Sequence, residues 1–216
     1  YMETSENVFL LETMRISDGR LCLPELHRAR MERSCRELYG CAAPLLSIDE
    51  AELPEELRRG TVKCRVTYGP EIARIEYEPY SPRLVRSLRL VRYDEVDYHL
   101  KYADRSSLSA LAALRGEADD VLIVRDGLLT DSSYANILLR AGDRLLTPSR
   151  PLLEGVMRRH LLDSGEVDAV LIATPHKLTP SMLMPGNSEG VTEVMLVNAM
   201  LPPGALPPVP LCRILQ

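Results

Sequence analysis

The sequence predicts an α+β protein built as two α/β units with largely antiparallel sheets. Three observations carry this reading. Short strand patterns joined by Asp-Gly turns alternate with amphipathic helical stretches. Pro79 and Pro82 bracket a linker, dividing a smaller N-terminal domain (1–82) from a larger C-terminal one (83–216). No internal repeat occurs.

The elements follow in order. "VFLLETMRI", "SDG" and "RLCL" read as strand, turn and strand. "LPELHRARMERSCRELYG" reads as a helix closed by Gly40. "SIDEAELPEELRRG" opens on a capping box, Ser47 with Glu50, and reads as a second helix to Gly60. "TVKCRVTYG" alternates Val62, Cys64, Val66 and Tyr68 against Lys63, Arg65 and Thr67, and a hairpin leads into "IARIEYEPY". "SLRLVRY" is one further strand. A helix runs from about Ser106 to Arg115, then "DDVLIVRDGLLT" and "YANILLRAGDRLLTP" form hairpins, the first through Asp126-Gly127. "GVMRRHLLDSG" is a helix, and "DAVLIAT" and "TEVMLVNAM" are buried strands. "LPPGALPPVP" excludes helix and reads as an extended tail.

Bulk properties exclude several classes. At 45% hydrophobic and 26% charged, the 216 residues suffice for a real core. A net charge of −5 argues against nucleic acid, which needs a concentrated basic surface. The apolar runs are far shorter than the ~20 residues a bilayer requires, so no membrane partner is expected. The acidic, polar "YMETSEN" is unlike a secretory signal. Five cysteines without CxxC spacing favour free buried thiols in a reducing cytoplasm and no metal site. "GNSEG" matches G-x-S-x-G, but the strand follows it where a helix belongs, so Ser188 reads as a loop residue.

Some residues point to chemistry. On the first helix, Leu23, Leu26, His27, Arg30, Met31, Ser34 and Leu38 share an arc of about 140°. Arg30 therefore lies in the buried stripe and needs an anion: an internal carboxylate, or a ligand phosphate or carboxylate. Asp131 follows a strand and precedes small polar residues, which by itself reads as a turn carboxylate bonding nearby backbone N–H groups. Gly155 opens a helix whose first N–H groups, at Val156 and Met157, suit an anion. Only three of the 26 basic residues are lysines. Lys101 stands between Leu100 and Tyr102, where its amine would be partly desolvated, and only lysine can attack a carbonyl as a free amine.

Together these stretches resemble the class IV aminotransferases, the fold-type IV pyridoxal-phosphate enzymes. That group holds branched-chain and D-amino-acid aminotransferases and 4-amino-4-deoxychorismate lyase. The resemblance runs from about Val8 to Pro210. "LHRARMERS" is similar to H-x-x-R-[LM]-x-x-S, which implies that Arg30 grips the cofactor phosphate without an internal carboxylate partner. "YHLKYADRS" resembles the segment of the cofactor-linking lysine, here Lys101. "LTDSSYANILL" resembles T-E-x-S-x-x-N-[IL]-F, which implies that Asp131, in place of the usual Glu, pairs with the pyridine nitrogen. "LEGVMRR" resembles the G-[IV]-[TM]-R phosphate loop, implying N–H contacts from Val156 and Met157. "EVMLVNAMLPP" resembles a second phosphate loop, implying Asn198 and Ala199. The implied cofactor is pyridoxal 5′-phosphate, the substrate a small-molecule amine, and the assembly a homodimer. "VNAMLPP" and Arg105, four residues past the lysine, lean toward the lyase, which makes 4-aminobenzoate and pyruvate for folate synthesis. An aminotransferase acting on a branched-chain or D-amino acid is the alternative, and a cofactor-binding homologue without catalysis a third.

Overall fold

The computed structural model describes residues 8–48, 53–170 and 190–215. They form two compact units, one of residues up to Ser81 together with Leu100–Asp104, the other of Pro82–His99 with the chain from Arg105 onward. The sequence boundary near 82 thus lacks one feature: the segment around Lys101 packs with the first unit. The reason is backbone pairing to the first strand. The Leu11 N–H donates to the Lys101 carbonyl at 2.8 Å, and the Ala103 N–H to the Phe9 carbonyl at 2.8 Å, flanking a Leu10–Tyr102 bridge.

In the first unit, β1 (Leu10–Ser17), β2 (Arg20–Leu21), β3 (Thr61–Tyr68) and β4 (Ile72–Pro79) form an antiparallel sheet in the order β2-β1-β3-β4. Asp18 (φ 48°) and Gly19 (φ 78°) both adopt positive φ, the requirement of the tight turn between β1 and β2. Helix α1 (Pro24–Tyr39) starts with proline at its first position and stops where Gly40, at φ 70°, takes up the left-handed conformation. It buries His27, Arg30, Met31 and Ser34 of the expected stripe, and Cys35 as well, while Leu23, Leu26 and Leu38 are half-buried. The core under it comprises Leu10, Met14, Ile16, Val62, Cys64, Val66, Tyr68 and Leu100.

The helix expected from Ser47 to Gly60 is not formed in its described part. Residues 41–48 carry no regular structure, 49–52 (including the capping-box Glu50) lie outside the described residues, and only a 3₁₀ turn forms at Glu55–Leu57. Pro54, lacking an N–H and clashing with the preceding turn, limits the helix there.

The second unit holds β5 (Leu88–Arg92), α2 (Ser106–Ala113), β6 (Asp120–Arg125), β7 (Leu128–Ser132), β8 (Asn136–Ala141), β9 (Arg144–Pro148), α3 (Val156–Asp163), β10 (Asp168–Val170), β11 (Val191–Val197), β12 (Val209–Pro210) and β13 (Ile214–Leu215). The sheet runs β10-β9-β8-β7-β6-β5-β13, with β11 pairing β8 and β12. It is less antiparallel than the sequence suggests. β5–β6, β5–β13 and β9–β10 are parallel, the first joined through α2 and the last through α3, because a parallel pair needs a crossover. The tail "LPPGALPPVP" ends as strand: Val209 pairs β11, and Ile214 and Leu215 pair β5. Ser188 and the end of "DAVLIAT" lie outside the described residues.

All five cysteines are free, with Cys35 and Cys64 buried, Cys22 and Cys41 half-buried and Cys212 exposed. No helix of the described residues is long and apolar enough to cross a membrane.

Candidate active site

Each unit places a buried carboxylate among polar partners close to the residues singled out by the sequence. In the first unit it is Glu12, which alternation sets on the apolar face of β1 with Leu10, Met14 and Ile16. Arg30 of α1 grips it with a fork, Nε to Oε1 at 2.7 Å and a terminal nitrogen to Oε2 at 2.5 Å. His27 adds a third contact, Nδ1 to Oε2 at 2.7 Å. Burial on its own would raise the Glu12 carboxyl. The Arg30 guanidinium, with hydrogen bonds from Arg30 and His27, outweighs that and holds it down to about 2. A carboxylate can only accept, so the proton of the His27 contact sits on Nδ1, and Nε2 is left buried without a partner.

This corrects one expectation. Arg30 does have an internal carboxylate partner, and Glu12, three residues past Phe9 in the first strand, is the residue sequence reasoning missed. The period-2 pattern of "LLETMRI" carried the signal, since it places one acid among apolar neighbours facing the helix.

Lys101 is half-buried in the same unit. The Leu10–Tyr102 bridge puts Tyr102 and Leu100 on the α1 side, where both join the core cluster. Alternation therefore puts Lys101 on the opposite face of the sheet, beside Leu11. Arg30 and Lys101 belong to different faces of β1.

In the second unit the carboxylate is Asp131, buried at the end of β7. Asn136, its cross-strand partner on β8, donates to Oδ1 at 2.9 Å, and the Leu153 N–H donates to Oδ2 at 3.0 Å. The Asn136 amide spends its second N–H on the Leu153 carbonyl at 2.9 Å. Burial pushes the Asp131 carboxyl up to about 6, because these neutral donors and the Arg158 guanidinium offset only part of the desolvation. Arg158, itself buried, donates to the Pro148 carbonyl at 2.9 Å and lies 3.6 Å from Glu154.

Asn136 also meets Gly155. A Cβ at Gly155 would fall 1.8 Å from the Asn136 side-chain oxygen, so the close approach, rather than backbone strain, demands glycine. Gly155 caps α3 with no side-chain hydrogen bond, so the N–H groups of Val156 and Met157 open the helix without an intrahelical acceptor. The second predicted loop arrives through β11, where Val197 is in register with Asn136. Asn198 holds its own turn: its N–H donates to the Leu201 carbonyl at 3.1 Å, and its Oδ1 accepts from Met200 at 2.8 Å. Its Nδ2 donates to the Tyr134 carbonyl at 3.2 Å. Asn198 thus shapes the turn, and Ala199 is the position whose N–H these bonds do not use. Arg105 donates to the Ser133 carbonyl at 2.9 Å, two residues past Asp131.

The profile of the family described as amino-transferase class IV matches residues 9–202. The chain belongs to the class IV aminotransferase family. A Haemophilus influenzae protein named only as uncharacterized is 38% identical over 162 residues, 73% of this chain and 85% of that one. A crystal structure of a "putative 4-amino-4-deoxychorismate lyase" from Haemophilus somnus is 29% identical, covers 91% of this chain and 98% of its own, and superposes with a TM-score of 0.76. A Mesorhizobium loti protein described as a "putative amino-acid aminotransferase", 22% identical over 94% of this chain and 98% of that one with a TM-score of 0.69, shares the fold.

Class IV aminotransferases are pyridoxal 5′-phosphate enzymes, and this chain is one of them. The second unit fits that group. Asp131 is a buried carboxylate short of positive charge, which a protonated pyridine nitrogen supplies. The uncapped start of α3 suits a phosphate. Among the described residues no group of His, Cys, Asp and Glu is arranged to hold a metal.

Proposed function

We propose that this enzyme is a 4-amino-4-deoxychorismate lyase, releasing 4-aminobenzoate and pyruvate in folate synthesis. The likeness to the Haemophilus somnus protein, spanning nearly the whole of both chains, carries the reading. Two local features support it: Arg105 anchored on the Asp131 loop, and the "VNAMLPP" turn built by Asn198.

In this reading Asp131 holds a proton on the pyridine nitrogen, while Val156, Met157 and Ala199 donate N–H groups to the phosphate. When bound, the cofactor supplies the electron sink for the substrate carbanion. Lys101 would hold it through its side-chain amine and would move a proton at the substrate carbon. Arg30, forked on Glu12, fixes α1 against β1 and so steadies the strand with which the Lys101 segment pairs. The enzyme works as a cytoplasmic homodimer.

The test is the product. Purified enzyme is expected to release pyruvate and 4-aminobenzoate with no keto acid added. Strict dependence on a keto-acid acceptor would make it an aminotransferase instead. Borohydride treatment followed by peptide mass spectrometry is expected to find the cofactor's mass on Lys101, and none in Lys101→Ala.

A further inference from the structure

The four-stranded sheet of the first unit has two faces of different chemistry. Toward α1 lie Leu10, Glu12, Met14 and Ile16, in register with Tyr68, Val66, Cys64 and Val62, and all eight are buried. The other face carries Leu11, Thr13 and Arg15 against Thr67, Arg65 and Lys63. Lys101 shares this second face.

Charge on that face is unevenly matched. Lys63 forms an ion pair with Glu78 of β4, and Arg65 stands in register with Glu76. Arg15 is directly opposite Lys63, a like charge, which costs stability in a cross-strand pair. Among the described residues no carboxylate pairs with Arg15, and its Nε is buried with no hydrogen-bond partner. A desolvated guanidinium donor left without an acceptor is destabilising. An incoming anion relieves both the missing bond and the repulsion.

The position suits a substrate. Leu11 neighbours Lys101, and Arg15 lies four residues further along β1, roughly 14 Å of strand. An amine and a carboxylate at opposite ends of a six-membered ring span that gap once both long side chains lean inward. We infer that Arg15 is a specificity residue that receives a substrate carboxylate remote from the amine presented to Lys101. The substrate class is then a primary amine bearing a distal carboxylate. This rests on the reading of Lys101 given above and adds the group that selects the other end.

The experiment compares 4-aminobenzoate with aniline, which lacks only the carboxylate, by calorimetric titration of the cofactor-loaded protein. Wild type is expected to favour 4-aminobenzoate about tenfold or more, as a charge-assisted fork allows. In Arg15→Gln the ratio should fall to near one with aniline binding unchanged, and Arg15→Lys should retain an intermediate preference. Thermal melting of both variants verifies folding, and Arg15→Lys keeps the test open if the glutamine variant fails to fold. A folded, cofactor-loaded Arg15→Gln that keeps the full ratio overturns the role of Arg15 and leaves Lys101 untouched. A wild type that never fixes the cofactor on Lys101 sinks the earlier reading and this one with it.

Discussion

Glu12 and Asp131 are both buried, yet their surroundings treat them in opposite ways. Glu12 has a guanidinium fork and stays ionised; Asp131 has mainly neutral donors and is raised to about 6. Replacing Glu12 by Gln keeps the shape but strands Arg30, so Glu12→Gln should cost about 3–5 kcal/mol in urea denaturation. Because the Glu12 pKa is depressed, its contribution is present above 4.5 and is lost as pH falls toward about 2, a decline the variant should lack. Asp131 runs the other way. Its pKa is raised, so cofactor-free protein should lose stability as pH climbs from 3.8 through about 6. The loss is on the order of 3 kcal/mol at most. Asp131→Asn should show no such slope over that window when melting temperature is followed against pH.

At the scale of elements, β1 and α3 each do two jobs. β1 turns one side toward α1 and seals the Glu12–Arg30 pair, while its other side carries Arg15 beside the Lys101 segment. One residue of slippage would exchange these faces, so the register with β3, unbroken from Leu10 to Ser17, is itself functional. The start of α3 depends on Gly155 in the same way. Gly155→Ala forces the Asn136 oxygen away, breaking the bonds that hold Asp131 and Leu153. We expect a loss of about 2–4 kcal/mol in chemical denaturation, with cofactor affinity falling in parallel.

At the scale of the molecule, the second unit is closed by its last two strands. Val209, Leu211 and Ile214 are buried, and β12 and β13 cover the edges of β11 and β5. A chain stopped after Pro208 should lose up to about 9 kcal/mol, three apolar side chains at ~1.5–3 each. It should also expose two strand edges, which light scattering would detect as association.

The family was legible in the sequence because its motifs are local. "LHRARMERS", "LTDSSYANILL" and "LEGVMRR" each encode a turn, a helix stripe or a helix start that needs no distant partner. The Asp126-Gly127 turn and the helix stop at Gly40 were readable for the same reason, since the dihedral demand lies in the residue itself. Tertiary structure alone decided who meets whom. Glu12 meets Arg30 across 18 residues, Asn136 reaches Gly155, and the Lys101 segment pairs with β1 rather than with its neighbours in the chain. Periodicity states which way a side chain faces. It does not state what stands opposite, and at a buried charge the opposite group sets both protonation and role.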